Sequence, residues 1–173
     1  AASCQAFVTP AFAGAGFGDD GFHIHKSSLP MSNASEPTTI LMHRGVHTDF
    51  PENSLAAVKA AANLALAHPD LEMMIELDVR TTADGKLVVM HDADVSQTAH
   101  GIGFVQDLTL AQMQALALRK ENGDARLPVD GPLAISVADM RVPSLEEVFA
   151  VVDAANQRRV AGSIPVGLAL EIK

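Results

Sequence analysis

The sequence predicts an α/β fold with a mainly parallel sheet, laid out as the N-terminal half of a (β/α) barrel. Three observations carry this expectation. From Thr39 onward, short apolar runs alternate with stretches of helical spacing. Charged and imidazole side chains gather where successive apolar runs end, which is where barrels of this kind place their chemistry. The chain has 173 residues and reaches its fourth strand or so, whereas a closed barrel takes about 250 residues. The expectation is therefore an incomplete barrel whose remaining segments are required to close it.

Residues 1 to 38 are rich in Ala, Gly, Ser and Pro and lack a sustained period, so they read as an arm preceding the domain. Ala11-Phe12-Ala13 follows an Ala-rich apolar stretch and has the small-x-small form of a signal-peptidase site. It favours a periplasmic or secreted protein, with a cytoplasmic one as the alternative. His23 and His25 would share a face of an extended strand, yet no third ligand stands near them in sequence, and they read as part of a solvated arm.

The domain then spans 39–173. Ile40-Leu41-Met42 predicts a short buried strand ending at His43. Leu55, Val58, Ala62 and Ala65 predict a helix from Leu55 to His68, with Asn53 or Ser54 as its cap. Met73 to Val79 predicts a strand with Ile75, Leu77 and Val79 on one face and Glu76 and Asp78 on the other. Asp84-Gly85 predicts a two-residue turn into a strand Leu87 to Met90, a register that sets Asp78 opposite His91. Thr109 predicts the cap of a helix to about Lys120, and 121–140 reads as an insertion rich in Gly, Pro and Asp. Ser144-Leu145-Glu146-Glu147 is a capping box opening a helix to about Arg158. Val166 to Lys173 returns to a strand, with Glu171 and Lys173 on the face opposite Leu168, Leu170 and Ile172.

Composition narrows the chemistry. Twelve basic residues against 21 acidic give a net charge of −9, without any Lys/Arg-rich run, so the long-range field repels nucleic acid. An anionic substrate must be caught locally. The apolar runs are too short to span a bilayer, and Cys4, the single cysteine, rules out an intrachain disulfide. Two carboxylates on one face of an apolar strand, Glu76 and Asp78, repel each other unless a cation lies between them. His43-Arg44-Gly45 and His91-Asp92 add imidazoles and a guanidinium at strand ends, and Glu171-x-Lys173 adds a carboxylate and an ammonium. Such a set fits metal-assisted phosphoester chemistry. His47, His68 and His100 lack comparable sequence partners and read as surface histidines.

As a set these residues resemble the glycerophosphodiester phosphodiesterase family of the phospholipase C-like superfamily. The likeness comprises His43-Arg44-Gly45, Pro51-Glu52-Asn53, Glu76-Leu77-Asp78-Val79, Thr82-x-Asp84-Gly85 through Val88-Val89-x-His91-Asp92, Val142-Pro143-Ser144-Leu145-Glu146-Glu147-Val148 and Leu170-Glu171-Ile172-Lys173. It implies a TIM-type barrel that hydrolyses small-molecule glycerophosphodiesters to glycerol 3-phosphate and an alcohol with Ca²⁺ or Mg²⁺. Glu76, Asp78 and Glu171 would then ligate the metal, His43 and His91 would be the acid/base pair, Arg44 and Lys173 would hold phosphate oxygens, and Glu52 would orient its neighbours. The alternatives are a lysophospholipase D-like or sphingomyelinase D-like phosphodiesterase, or a fragment that binds without turnover because later strands are missing.

Overall fold

A ten-residue strand organises the sheet in the computed structural model, which describes residues 38–120 and 129–173. Strand β1 (Thr39–His43) leads through helix α1 (Leu55–Ala67) to β2 (Glu72–Thr81), and the two strands pair in parallel from Thr39↔Glu72 to His43↔Glu76. The short β3 (Leu87–Val89) pairs antiparallel with the far end of β2. Helix α2 (Leu110–Gln114) and helix α3 (Leu145–Arg158) follow, and β4 (Gly167–Ile172) pairs parallel with β2 from Met74↔Gly167 to Val79↔Ile172. The α/β class and the parallel β1-β2-β4 arrangement agree with expectation. The sheet is open, with four strands among the described residues.

Period two explains the core. Met73, Ile75, Leu77 and Val79 leave one face of β2 and pack against Val58, Ala61, Ala62 and Ala65 of α1 and Val148, Val151, Val152 and Ala155 of α3. Burying each of the large β2 side chains stabilises the fold by about 2 kcal/mol. Ser54, and not Asn53, caps α1: its Oγ accepts from the Ala57 amide at 3.1 Å and donates to the Pro51 carbonyl at 2.6 Å. The capping box at Ser144 and Glu147 opens α3 as expected. Arg159 then donates to the Ala65 and Pro69 carbonyls, tying the end of α3 to the end of α1.

Two expectations are corrected. The β2–β3 connection is a five-residue loop, because Thr82 bonds locally: its amide and hydroxyl both donate to the Lys86 carbonyl, the Lys86 amide donates to the hydroxyl, and the hydroxyl also reaches Asp84 at 2.6 Å. Pairing therefore runs Val79↔Val89 and Thr81↔Leu87, one residue away from the two-residue-turn register, and the Met90 amide donates to the Asp78 carbonyl. Asp78 is not opposite His91. Helix α2 ends at Gln114 and does not reach Lys120, because the His100 and Arg119 amides bond the Ala117 and Thr98 carbonyls, pairing the segment with residues 98–100. Leu116 and Leu118 join a second cluster there, with Val95, Ala99 and Met113.

The expected arm, with Ala11-Phe12-Ala13, His23 and His25, lies outside the described residues save its last position, as does 121–128 of the expected insertion. The rest of that insertion straps α1. Lys59 donates to Asp139 at 2.7 Å, Asn63 bonds both the amide and the carbonyl of Leu133, and Ile135 packs on Phe50, Ala56 and Ala57. The strap thereby braces the turn that carries Glu52 and Asn53. Among the described residues, no helix is long and apolar enough to cross a membrane.

Candidate active site

Register assembles the site. Glu76 and Asp78 alternate onto the face of β2 opposite the core, and the parallel pairing sets His43 of β1 beside Glu76 and Glu171 of β4 beside Asp78. One carboxylate oxygen from each of Glu76, Asp78 and Glu171 lies within 4.8 Å of the other two. Asp78, 1% exposed, is closely compensated: Oδ2 accepts from Asn53 Nδ2 at 3.0 Å and lies 3.5 Å from Arg44 Nε, while Oδ1 is 3.2 Å from Lys173 Nζ. Lys173 also donates to Glu171 at 2.8 Å. Burial alone would lower its ammonium pKa, but these two carboxylates outweigh that and raise it.

Glu76 is less well served. It is 5% exposed, accepts from the Arg44 amide at 3.1 Å, and has His43 Nε2 3.9 Å away. Burial, reinforced by the Asp78 charge, pushes its pKa up to about 7. Three converging hard-oxygen donors, one of them held against its own ionisation, suit a divalent cation.

The turn after β1 shapes the rest. Arg44 and Asn53 both adopt left-handed backbone, with φ of 54° each, and the Asn53 amide donates to the Arg44 carbonyl. This fold aims the Arg44 amide at Glu76 and its side chain at Glu52, with an Nη1–Oε2 distance of 2.8 Å. Arg44 Nε is buried and makes no hydrogen bond, with Asp78 Oδ2 beside it at 3.5 Å. Gly45 has φ of +80°, and a Cβ there would fall 2.8 Å from the Ala57 backbone, so glycine is required.

His43 is held below the usual imidazole pKa, first by burial and then by Arg44, against the opposing pull of Asp78. His91 follows Met90, whose amide donates to the Asp78 carbonyl; its Nδ1 is 3.0 Å from Asp92 and its carbonyl is clamped by the Arg80 guanidinium at 2.7 and 2.9 Å. Contacts and strand register thus join seven of the eight sequence-predicted residues, and His91 lies one residue beyond the Met90–Asp78 backbone bond and does not face Asp78.

Two residues escape sequence reading. Asn53 spans Asp78, donating to its carboxylate and accepting from its amide at 3.4 Å. The adjacency of two capping candidates was the available signal, since one of them had to serve elsewhere. His47 is the other: it is half-buried, its Nε2 is shielded from solvent without a partner, and its ring stands edge-on to His43 at a centroid distance of 6.1 Å. His68 and His100 are exposed, as expected.

Fold and cluster define a class: an α/β protein with an acidic, cation-ready group at the carboxyl ends of its parallel strands, flanked by imidazoles and fixed cations. Comparison with known proteins gives the family. Residues 43–166 match the Glycerophosphoryl diester phosphodiesterase family. The chain is 37% identical over 115 residues to a glycerophosphodiester phosphodiesterase of Caldanaerobacter subterraneus subsp. tengcongensis, an overlap taking in 66% of this chain and 40% of that one. It is 36% identical over 123 residues to human glycerophosphodiester phosphodiesterase 1, covering 71% of this chain and 33% of the human one. A phosphodiesterase of Oleispira antarctica, solved with the product sn-glycerol-3-phosphate, superposes with a TM-score of 0.52 at 22% identity, over 79% of this chain and 45% of that one, and so speaks to fold alone. The chain belongs to the glycerophosphoryl diester phosphodiesterase family. It spans about two fifths of the length of the curated relatives it matches.

Proposed function

We propose that residues 39–173 form the N-terminal part of a TIM-type barrel and carry the metal-binding and acid/base machinery of a glycerophosphodiester phosphodiesterase. The observation that carries this reading is the carboxylate trio within 4.8 Å, in which Glu76 is pushed up to about 7. Glu76, Asp78 and Glu171 hold Ca²⁺ or Mg²⁺. Bound there, the ion supplies Lewis-acid stabilisation of charge on phosphoryl oxygens. Arg44, whose buried Nε makes no hydrogen bond, and Lys173 hold the phosphate, and Glu52 and Asn53 keep Arg44 and Asp78 in place.

His43, kept neutral by burial and by Arg44, and His91, paired with Asp92, exchange the protons. One takes the proton of the attacking glycerol 2-hydroxyl and the other protonates the departing alkoxide, which leaves as the alcohol; water, deprotonated in turn, then opens the resulting cyclic phosphate to glycerol 3-phosphate. The test is hydrolysis of glycerophosphocholine by the protein carrying the complete family domain, with and without EDTA, beside His43→Ala and His91→Ala. Turnover that resists EDTA, or that survives both substitutions, would overturn the reading.

A further inference from the structure

Two imidazole nitrogens remain unexplained by the machinery above. His43 turns Nε2 toward the carboxylates, 3.9 Å from Glu76, while its Nδ1 is buried without a hydrogen-bond partner. His47 Nε2 is likewise buried without a partner, on the ring that stands edge-on to His43 with an interplanar angle of 81°. A buried polar nitrogen left unpaired costs free energy, and two such nitrogens on rings with centroids 6.1 Å apart are an unusual coincidence unless they serve one another. The backbone holds them in place: Gly45 fits tightly against Ala57, the Val46 amide donates to the Ala57 carbonyl at 3.1 Å, and His47 follows directly.

We propose that His47 is a positioning residue for His43, its Nε2 accepting the hydrogen bond of His43 Nδ1–H through one bridging water. The pairing rests on the reading of His43 as an acid/base group and deepens it. With its proton fixed on Nδ1, His43 presents the Nε2 lone pair to the carboxylate side, the form a general base needs. His47 does not reach the reacting atoms; it selects the tautomer and the ring orientation of the residue that does.

Imidazole nitrogen spectra of the ¹⁵N-labelled full chain at a pH where both rings are neutral test this without requiring turnover. The expected wild-type result is His43 in the Nδ1–H form. His47→Phe, which keeps an aromatic edge but removes the acceptor, should shift His43 toward the Nε2–H form, and His47→Gln should restore the wild-type pattern. Where the protein turns over glycerophosphocholine, His47→Phe should lower kcat about tenfold with little change in KM, with partial rescue by Gln. A wild-type His43 carrying its proton on Nε2 would overturn the proposal even if the Phe variant failed to fold, and so would a tautomer unchanged by His47→Phe. Loss of the phosphodiesterase reading would show instead as inactive wild-type protein with the spectra intact.

Discussion

A carboxyl pushed up to about 7 keeps its proton where an unfolded chain has already released it, and Glu76 does so because burial withholds water and Asp78 adds like charge. Between its ordinary value of 4.5 and about 7, the folded chain binds the extra proton, so stability falls as pH rises through that window. Above that window the cost is about 3 kcal/mol in metal-free protein. His43, held below 6.5, acts with the opposite sign: its contribution is lost as pH falls beneath that value. Urea unfolding of wild type and Glu76→Gln from pH 5 to 8 separates the two. The variant should gain on wild type as pH rises, and a constant difference would show that Glu76 ionises normally. Asn53→Ala should cost about 2 kcal/mol by the same measurement, since Asp78 at 1% exposure would lose both bonds to this side chain. A loss no larger than that of an ordinary surface substitution, about 0.5 kcal/mol, would mean that Asp78 does not depend on Asn53. The carboxylates were legible because charge in an apolar strand is costly and so conspicuous. Asn53 and His47 were less so, because their placement depends on a left-handed turn, hinted at only by the two adjacent capping candidates, and on a ring contact that no local pattern announces.

At the scale of elements, local signals succeeded where the element ends locally. The capping box of α3 is written in Ser144 and Glu147, and the helix runs to Arg158 as its periodicity implies. Ser144→Ala should cost about 1 kcal/mol, read as a lower urea midpoint with an unchanged slope; no change would show that the Arg141 and Gln114 bonds to Glu147 hold the end without the serine. The hairpin shows the opposite case. Asp84-Gly85 signals a turn and a turn is there, but the bonds of Thr82 to Asp84 and Lys86 lengthen the loop to five residues and slip the register by one. His91 is still held beside the strand because Arg80 bonds its carbonyl, a contact between a strand side chain and the chain beyond β3. Helix α2 fails for a related reason: Leu116 and Leu118 alternate into an extended pairing that competes with helical continuation.

For the molecule as a whole, the decisive point is that the three carboxylates reside on β2 and β4, which are already paired through six residues of register. The site's acidic half therefore does not wait on any further strand, even though the chain spans about two fifths of its relatives. Calorimetric titration with Ca²⁺ and Mg²⁺ should show saturable one-site binding, and the double variant Glu76→Ala/Asp78→Ala should abolish it. Because Glu76, pushed up to about 7, retains part of its proton near neutral pH, binding near pH 7 should also release protons, so the measured heat should vary with the ionisation enthalpy of the buffer. That dependence should vanish at pH 9, where Glu76 is already ionised. Binding without proton release at pH 7 would place the ion away from Glu76. Absence of binding would mean that β2 and β4 alone do not preorganise the carboxylates, and that ligation requires side chains from the rest of the family domain.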